Sequence, residues 1–72
     1  MIRFNLRGEY IELNKLLKVT NLCSSGGAAN QAISAGMVKV GGQVEMRKAC
    51  KIRVGQQVEL DGNIISVEKE TS

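Results

Sequence analysis

The sequence predicts an α+β fold, a pair of helices followed by antiparallel β-hairpins. Three observations carry that prediction. Apolar residues recur at helical spacing over residues 10–20, and small residues do so over 27–35. Val38 and Val40, then Val44 and Met46, alternate on either side of Gly41-Gly42, and two glycines supply the positive φ that a two-residue hairpin turn requires. A second alternating pair of segments, 56–60 and 63–68, flanks Asp61-Gly62, a turn signal of the type I′ kind.

Taken in order, Ile2, Phe4 and Leu6 alternate with Arg3 and Asn5, which predicts a half-buried strand closed by Arg7-Gly8. Both aromatic residues, Phe4 and Tyr10, are expected in the core. Over 10–20, Tyr10, Leu13, Leu16, Leu17 and Thr20 share one helical face, with Glu12, Lys15 and Lys18 off it. Acid early and lysine late suit the helix dipole. Thr20-Asn21 is expected to close this helix and Leu22 to reach the core.

The second helix places Ala29, Ala32, Ile33 and Gly36 at helical spacing. Ser24 or Ser25 is positioned to cap its free N–H groups, and Gly36 to end it in left-handed geometry. A helix this short is unstable alone, so its small residues must be there to let it pack closely on the first. The strand over 63–68 is a candidate partner for the N-terminal strand, and 68–72 reads as a fraying polar end.

Seventy-two residues with an aliphatic core make one domain, of net stability near ~3–5 kcal/mol. No apolar run approaches membrane-spanning length and nothing resembles a signal peptide, so the expected compartment is the cytoplasm. Cys23 and Cys50 form no CxxC and there is no His, which leaves no metal-site pattern; buried thiols are the expected state. No cofactor is expected. Cys50 neighbours Lys51, and a cation can lower a thiol pKa. Its alternation with Ile52 nonetheless favours a buried or half-buried thiol over a nucleophile. Together with the missing His, this argues against an enzyme.

The net charge of +3 conceals a polarity. Residues 24–55 hold five basic side chains and one acidic, whereas 56–72 hold one basic and four acidic. Arg47, Lys48, Lys51 and Arg53 lie in a seven-residue stretch without an acid. Such a face steers a polyanion.

The stretch 24–55 also resembles a known family, the RNA-binding domain named after ribosomal protein S-four and called the alpha-L motif. Ser25, Ala29, Ile33, Gly36, Val38, Val40, Gly42, Arg47, Ile52 and Gly55 fall on the family's pattern without a gap. The small stand-alone bacterial members look most similar. This chain departs from the pattern with Gly26 for the usual arginine, Gly41 for asparagine and Gln56 for an acid. The resemblance implies one domain over 1–72 with its core motif at about 11–55, a helix pair leading into a hairpin, and an RNA-facing surface. The RNA-binding candidates are Arg47, Lys48, Lys51 and Arg53, as phosphate contacts, and Ser25, Gly26 and Gly27, whose backbone N–H groups open a helix. Lys15, Lys18, Asn30 and Lys39 are secondary candidates, Asn30 as an outward donor to ribose or a base edge. With both aromatics assigned to the core, stacking on single-stranded bases is unavailable, so the expected partner is a structured RNA, ribosomal or tRNA-like, bound by a monomer, with the ribosome as a candidate assembly. The alternative is a protein-interaction module whose positive face docks an acidic partner.

Overall fold

In a computed structural model, which describes residues 1–70, the chain forms two helices and seven short strands. Strands β1 (Ile2–Leu6), β3 (Val38–Val40), β4 (Gln43–Val44), β6 (Gln57–Leu60) and β7 (Asn63–Lys69) build one sheet in the order β1-β7-β6-β3-β4. Strands β2 (Ile11–Glu12) and β5 (Lys51–Ile52) make a separate two-stranded ribbon. Helices α1 (Leu13–Val19) and α2 (Gly26–Ser34) supply the rest of the core.

That core is aliphatic. Leu13, Leu16 and Leu17 of α1, Ala29 and Ile33 of α2, and Val38, Ile52, Val58, Ile65 and Val67 from the strands are all essentially without solvent contact. Burial of each large side chain contributes about 1.5–3 kcal/mol. Ala28, Ala29 and Ala32 keep α2 slim, and the seam between the helices is closed by a hydrogen bond from Asn14 Nδ2 to Asn30 Oδ1 (3.1 Å). Asn30 is therefore half-buried at the seam and does not point freely outward.

The two helices end by different devices. Ser25 caps α2, its Oγ accepting from the Ala28 N–H at 3.1 Å. Gly36 terminates α2 at φ +76°, with its N–H donating to Ile33 O and the Met37 N–H to Ala32 O. This pair of bonds is the Schellman arrangement that satisfies the last helical carbonyls. In α1 the Thr20 hydroxyl donates back to Leu16 O (2.8 Å), and Asn21 at φ +64° turns the chain away.

Both hairpins follow the pattern read from the sequence. Gly41 and Gly42 have φ of +60° and +84°, Asp61 and Gly62 +52° and +81°, so each turn has two positive-φ central residues and is of type I′. The N-terminal strand does join the sheet beside β7, but the pairing is parallel, Ile2 opposite Ile65 through Leu6 opposite Lys69. The strand order is thus mixed. Glu68 and Lys69 belong to β7, and Glu70 pairs with Arg7; the expected fraying of Thr71 and Ser72 falls outside the described residues.

Two expectations are corrected. Helix α1 begins at Leu13, not Tyr10, because residues 11 and 12 are held extended by pairing with β5. Tyr10 is consequently not a core residue: it is 42 % exposed, while Phe4 does pack against the core. Val44 and Met46 continue the alternation of β3 and are both about half exposed, Val44 on the two-residue edge strand β4 and Met46 just beyond it. Among the described residues no helix is long and apolar enough to cross a membrane.

A Cβ at Gly36 would meet only ordinary contacts, 3.8 Å from Val44 and 3.9 Å from Met46, so the requirement for glycine there is conformational. Gly36→Val is expected to lower the unfolding free energy by more than ~1 kcal/mol, read by urea denaturation. An unchanged midpoint would mean that the left-handed helix end carries no cost.

Candidate nucleic-acid interface

The basic segment is placed by the backbone of α1. Glu12, the N-cap residue, makes no side-chain cap. The first helical N–H groups instead reach across the chain, Leu13 N–H to Cys50 O (2.8 Å) and Asn14 N–H to Lys48 O (3.1 Å). The next, Lys15 N–H, is taken by the Asn14 side chain at 2.8 Å. The loop at 47–50 thus supplies the cap that α1 lacks. Ile52 follows, buried opposite Ile11, and fixes the outward direction of its neighbours Lys51 and Arg53.

A second tie lies within the loop. The Glu45 carboxylate accepts from the Arg47 backbone N–H (2.9 Å), from Nε (3.0 Å) and from Nη2 (3.1 Å). The Cys50 thiol sits 3.6 Å from the same carboxylate. The side-chain and backbone bonds from Arg47 hold the Glu45 carboxyl at about 2, well below its ordinary 4.5. Burial pushes the Cys50 thiol up, Glu45 adds to the rise and Arg47 opposes it, so the thiol stays protonated and donates.

Two concavities flank the start of α1. One of about 420 Å3 is lined by Arg47, Ala49, Cys50 and Lys51. The other, about 270 Å3, is lined by Glu12, Asn14, Lys15, Lys18 and Gly26. They are linked through the ribbon, where Glu12 of the second stands opposite Lys51 of the first. Gly26 has ordinary backbone geometry and a Cβ on it would meet nothing within 4 Å, so the fold makes no demand for glycine at this place.

Of the candidates read from the sequence, Arg47 and Lys51 line the first concavity, and Lys15, Lys18 and Gly26 the second. Lys48 and Arg53 are exposed beside them in sequence, and Gly27 is exposed in the first turn of α2. Ser25 has its hydroxyl committed to the cap, and Asn30 has its carbonyl committed to Asn14. Lys39 is not brought to either concavity. It is exposed on the large sheet, opposite Glu59 and Val44.

Charge pairing sharpens the picture. Arg3 pairs with Glu68 (3.7 Å), Arg7 with Glu70 (2.8 Å), Lys15 with Glu12 (3.6 Å) and Arg47 with Glu45 (3.0 Å). Among the described residues, Lys18, Lys39, Lys48, Lys51, Arg53 and Lys69 have no carboxylate within 4.0 Å, and of these only Lys39 and Lys69 lie on the large sheet. The sequence reading missed Glu45 as the partner of Arg47, because an acid two residues outside the basic run looked unrelated to it. It also missed Tyr10, whose ring lies 5.0 Å from Lys51 Nζ and 5.8 Å from Arg53 Cζ. The alternation of Tyr10 with Ile11 would have shown it, had residues 10–12 been read as a strand.

This arrangement, a helix pair whose leading end is capped by a basic loop emerging from a hairpin, is the alpha-L motif. Residues 4–68 match the S4 domain family, and the chain belongs to it. It is 44 % identical over 68 residues to YbcJ of Escherichia coli (strain K12), whose name proposes RNA binding; the match covers 93 % of this chain and 97 % of that protein. The YbcJ protein of Shigella flexneri matches to the same extent. The solution structure of YbcJ from E. coli, described as revealing an alpha-L motif involved in RNA binding, superimposes with a TM-score of 0.73 at 43 % identity, covering 94 % of this chain and 87 % of that one.

The Glu45 tie makes the loop sensitive to acid. A carboxyl depressed in the folded state contributes stability that is complete above its ordinary value near 4.5 and is lost as pH falls towards 2. An NMR titration of Glu45 is expected to give a midpoint near 2, with the Arg47 Nε–H signal shifting alongside. A midpoint at 4.5 would mean that the tie does not form in solution.

Proposed function

We propose that the protein is an RNA-binding module, rather than an enzyme, that recognises folded RNA through the surface around the start of α1. One observation carries this reading: of the six lysines and arginines in no ion pair among the described residues, four, Lys18, Lys48, Lys51 and Arg53, stand there, while Glu12 and Glu45, the acids nearest them, are each occupied by another cation. Most of the unpaired positive charge is therefore gathered on that surface; Lys39 and Lys69, on the large sheet, are the remainder. Phosphates docking on it release counterions, which supplies affinity independent of sequence.

The similarity to YbcJ supports the same reading, since RNA binding is what that protein's name and structure propose. The Lys15–Lys18–Gly26 concavity offers a second phosphate position beside the first turn of α2. Arg47 has a structural share as well, because its guanidinium already serves Glu45. The reading extends to a monomer acting in the cytoplasm on ribosomal or another structured RNA.

Binding to an RNA duplex, measured over a series of salt concentrations, tests this. Replacing Lys48, Lys51 and Arg53 together by Gln is expected to reduce the salt slope by about 2 to 3, at ~0.7–0.9 for each phosphate no longer neutralised. Arg3→Gln with Lys69→Gln should do far less. Equal losses in both sets would reduce the patch to diffuse charge, and no loss in the first set would overturn the assignment. Gly26 provides the opposite test. Gly26→Arg restores the family's usual residue where the fold leaves open space, and is expected to steepen the slope by ~0.7–0.9. An unchanged slope would show that the α2 start does not face phosphate.

A further inference from the structure

The ribbon of β2 and β5 has a distinctive outer face. Ile11 and Ile52 oppose one another and point inward, Ile52 without solvent contact. Their neighbours therefore point out, and continuing the register sets Tyr10 opposite Arg53 just as Glu12 is opposite Lys51. The ring of Tyr10 consequently lies next to two cations of β5 and its end, 5.0 Å from Lys51 Nζ and 5.8 Å from Arg53 Cζ, both within cation–π range.

Those contacts hold the ring in place and leave Tyr10 partly open to solvent. Both cations come from β5 or the residue after it, and 42 % of Tyr10 stays in solvent. Lys51 also lines the concavity of about 420 Å3 beside Arg47, so a single side chain connects the cationic groove with the aromatic surface. An exposed, positioned ring next to phosphate-binding charge is what a protein needs to take an unpaired base while its neighbours hold the backbone.

We propose that Tyr10 is a stacking platform for one unpaired nucleobase, with Lys51 and Arg53 binding the phosphates that flank it. This rests on the RNA-binding reading and deepens it. The preferred ligand is then a folded RNA with an unpaired base beside its stem, in a loop or bulge, in preference to a blunt duplex. A duplex offers the charges their phosphates but offers the ring nothing.

The test uses an RNA hairpin carrying 2-aminopurine at one loop position, and the same stem as a blunt duplex. Wild-type protein is expected to quench 2-aminopurine fluorescence and to prefer the hairpin. In Tyr10→Leu the hairpin-to-duplex preference should fall about 5- to 150-fold, the range of one base–aromatic stack, and Tyr10→Phe should restore it. The quench by wild-type protein needs no variant, so it stands even if Tyr10→Leu folds poorly. No quench, or an undiminished preference in a folded Tyr10→Leu protein, overturns the platform while leaving salt-dependent duplex binding intact. Failure of wild-type protein to bind either probe would overturn the RNA-binding reading and the platform with it.

Discussion

The two backbone hydrogen bonds from the start of α1 to the carbonyls of Lys48 and Cys50 are the contact on which the rest depends. A seven-residue helix cannot stand alone, and this one has no side-chain cap. A basic loop, in turn, has no apolar reason to stay against the body of the protein. Each supplies what the other lacks: the loop gives carbonyls to orphan N–H groups, and the helix gives the loop a fixed position. Ile52 secures the arrangement from below by entering the core immediately after the loop.

Electrostatics then follows from placement. Pairing β1 with β7 in parallel brings Arg3 and Arg7 beside Glu68 and Glu70, which consumes the positive charge of the N-terminal strand. Within the loop, Glu45 consumes most of what Arg47 offers. Apart from Lys39 and Lys69 on the large sheet, the cations left over belong to α1, β5 and the residues beside it, and they are left over because no carboxylate comes within 4.0 Å of them. A modest net charge of +3 can thus produce a markedly one-sided surface.

Much of this was legible in the residues, and what was legible was local. Ser25 and Gly36 mark the ends of α2, and Gly41-Gly42 and Asp61-Gly62 mark both turns, because caps and turns depend on conformations that few residue types adopt. The α+β class and the basic segment were visible for the same reason. What was not legible depends on distant backbone. Tyr10 falls at helical spacing from Leu13 and Leu17, yet pairing with β5 holds residues 11 and 12 extended and moves the ring to the surface. The parallel sense of β1 against β7 leaves no trace in an alternation pattern, which is identical for either direction. Among the interface candidates, Lys15, Lys18, Gly26, Arg47 and Lys51 do come to line the two concavities, while Lys39, drawn in by its charge and its outward place on a hairpin, lies elsewhere.

The parallel pairing of β1 has a further consequence, for the order in which the molecule can be assembled. β1 is an edge strand whose only strand partner is β7, and Arg7 and Glu70 are separated by 63 residues. At about 5–20 residues per second, the ribosome needs roughly 3 to 13 seconds to make that intervening stretch. Throughout that interval Ile2, Phe4 and Leu6 lack their full strand partner, while the helix pair and the first hairpin have all their residues once Val44 is made. A strand made before all the others in its sheet is therefore among the last to find its place in it.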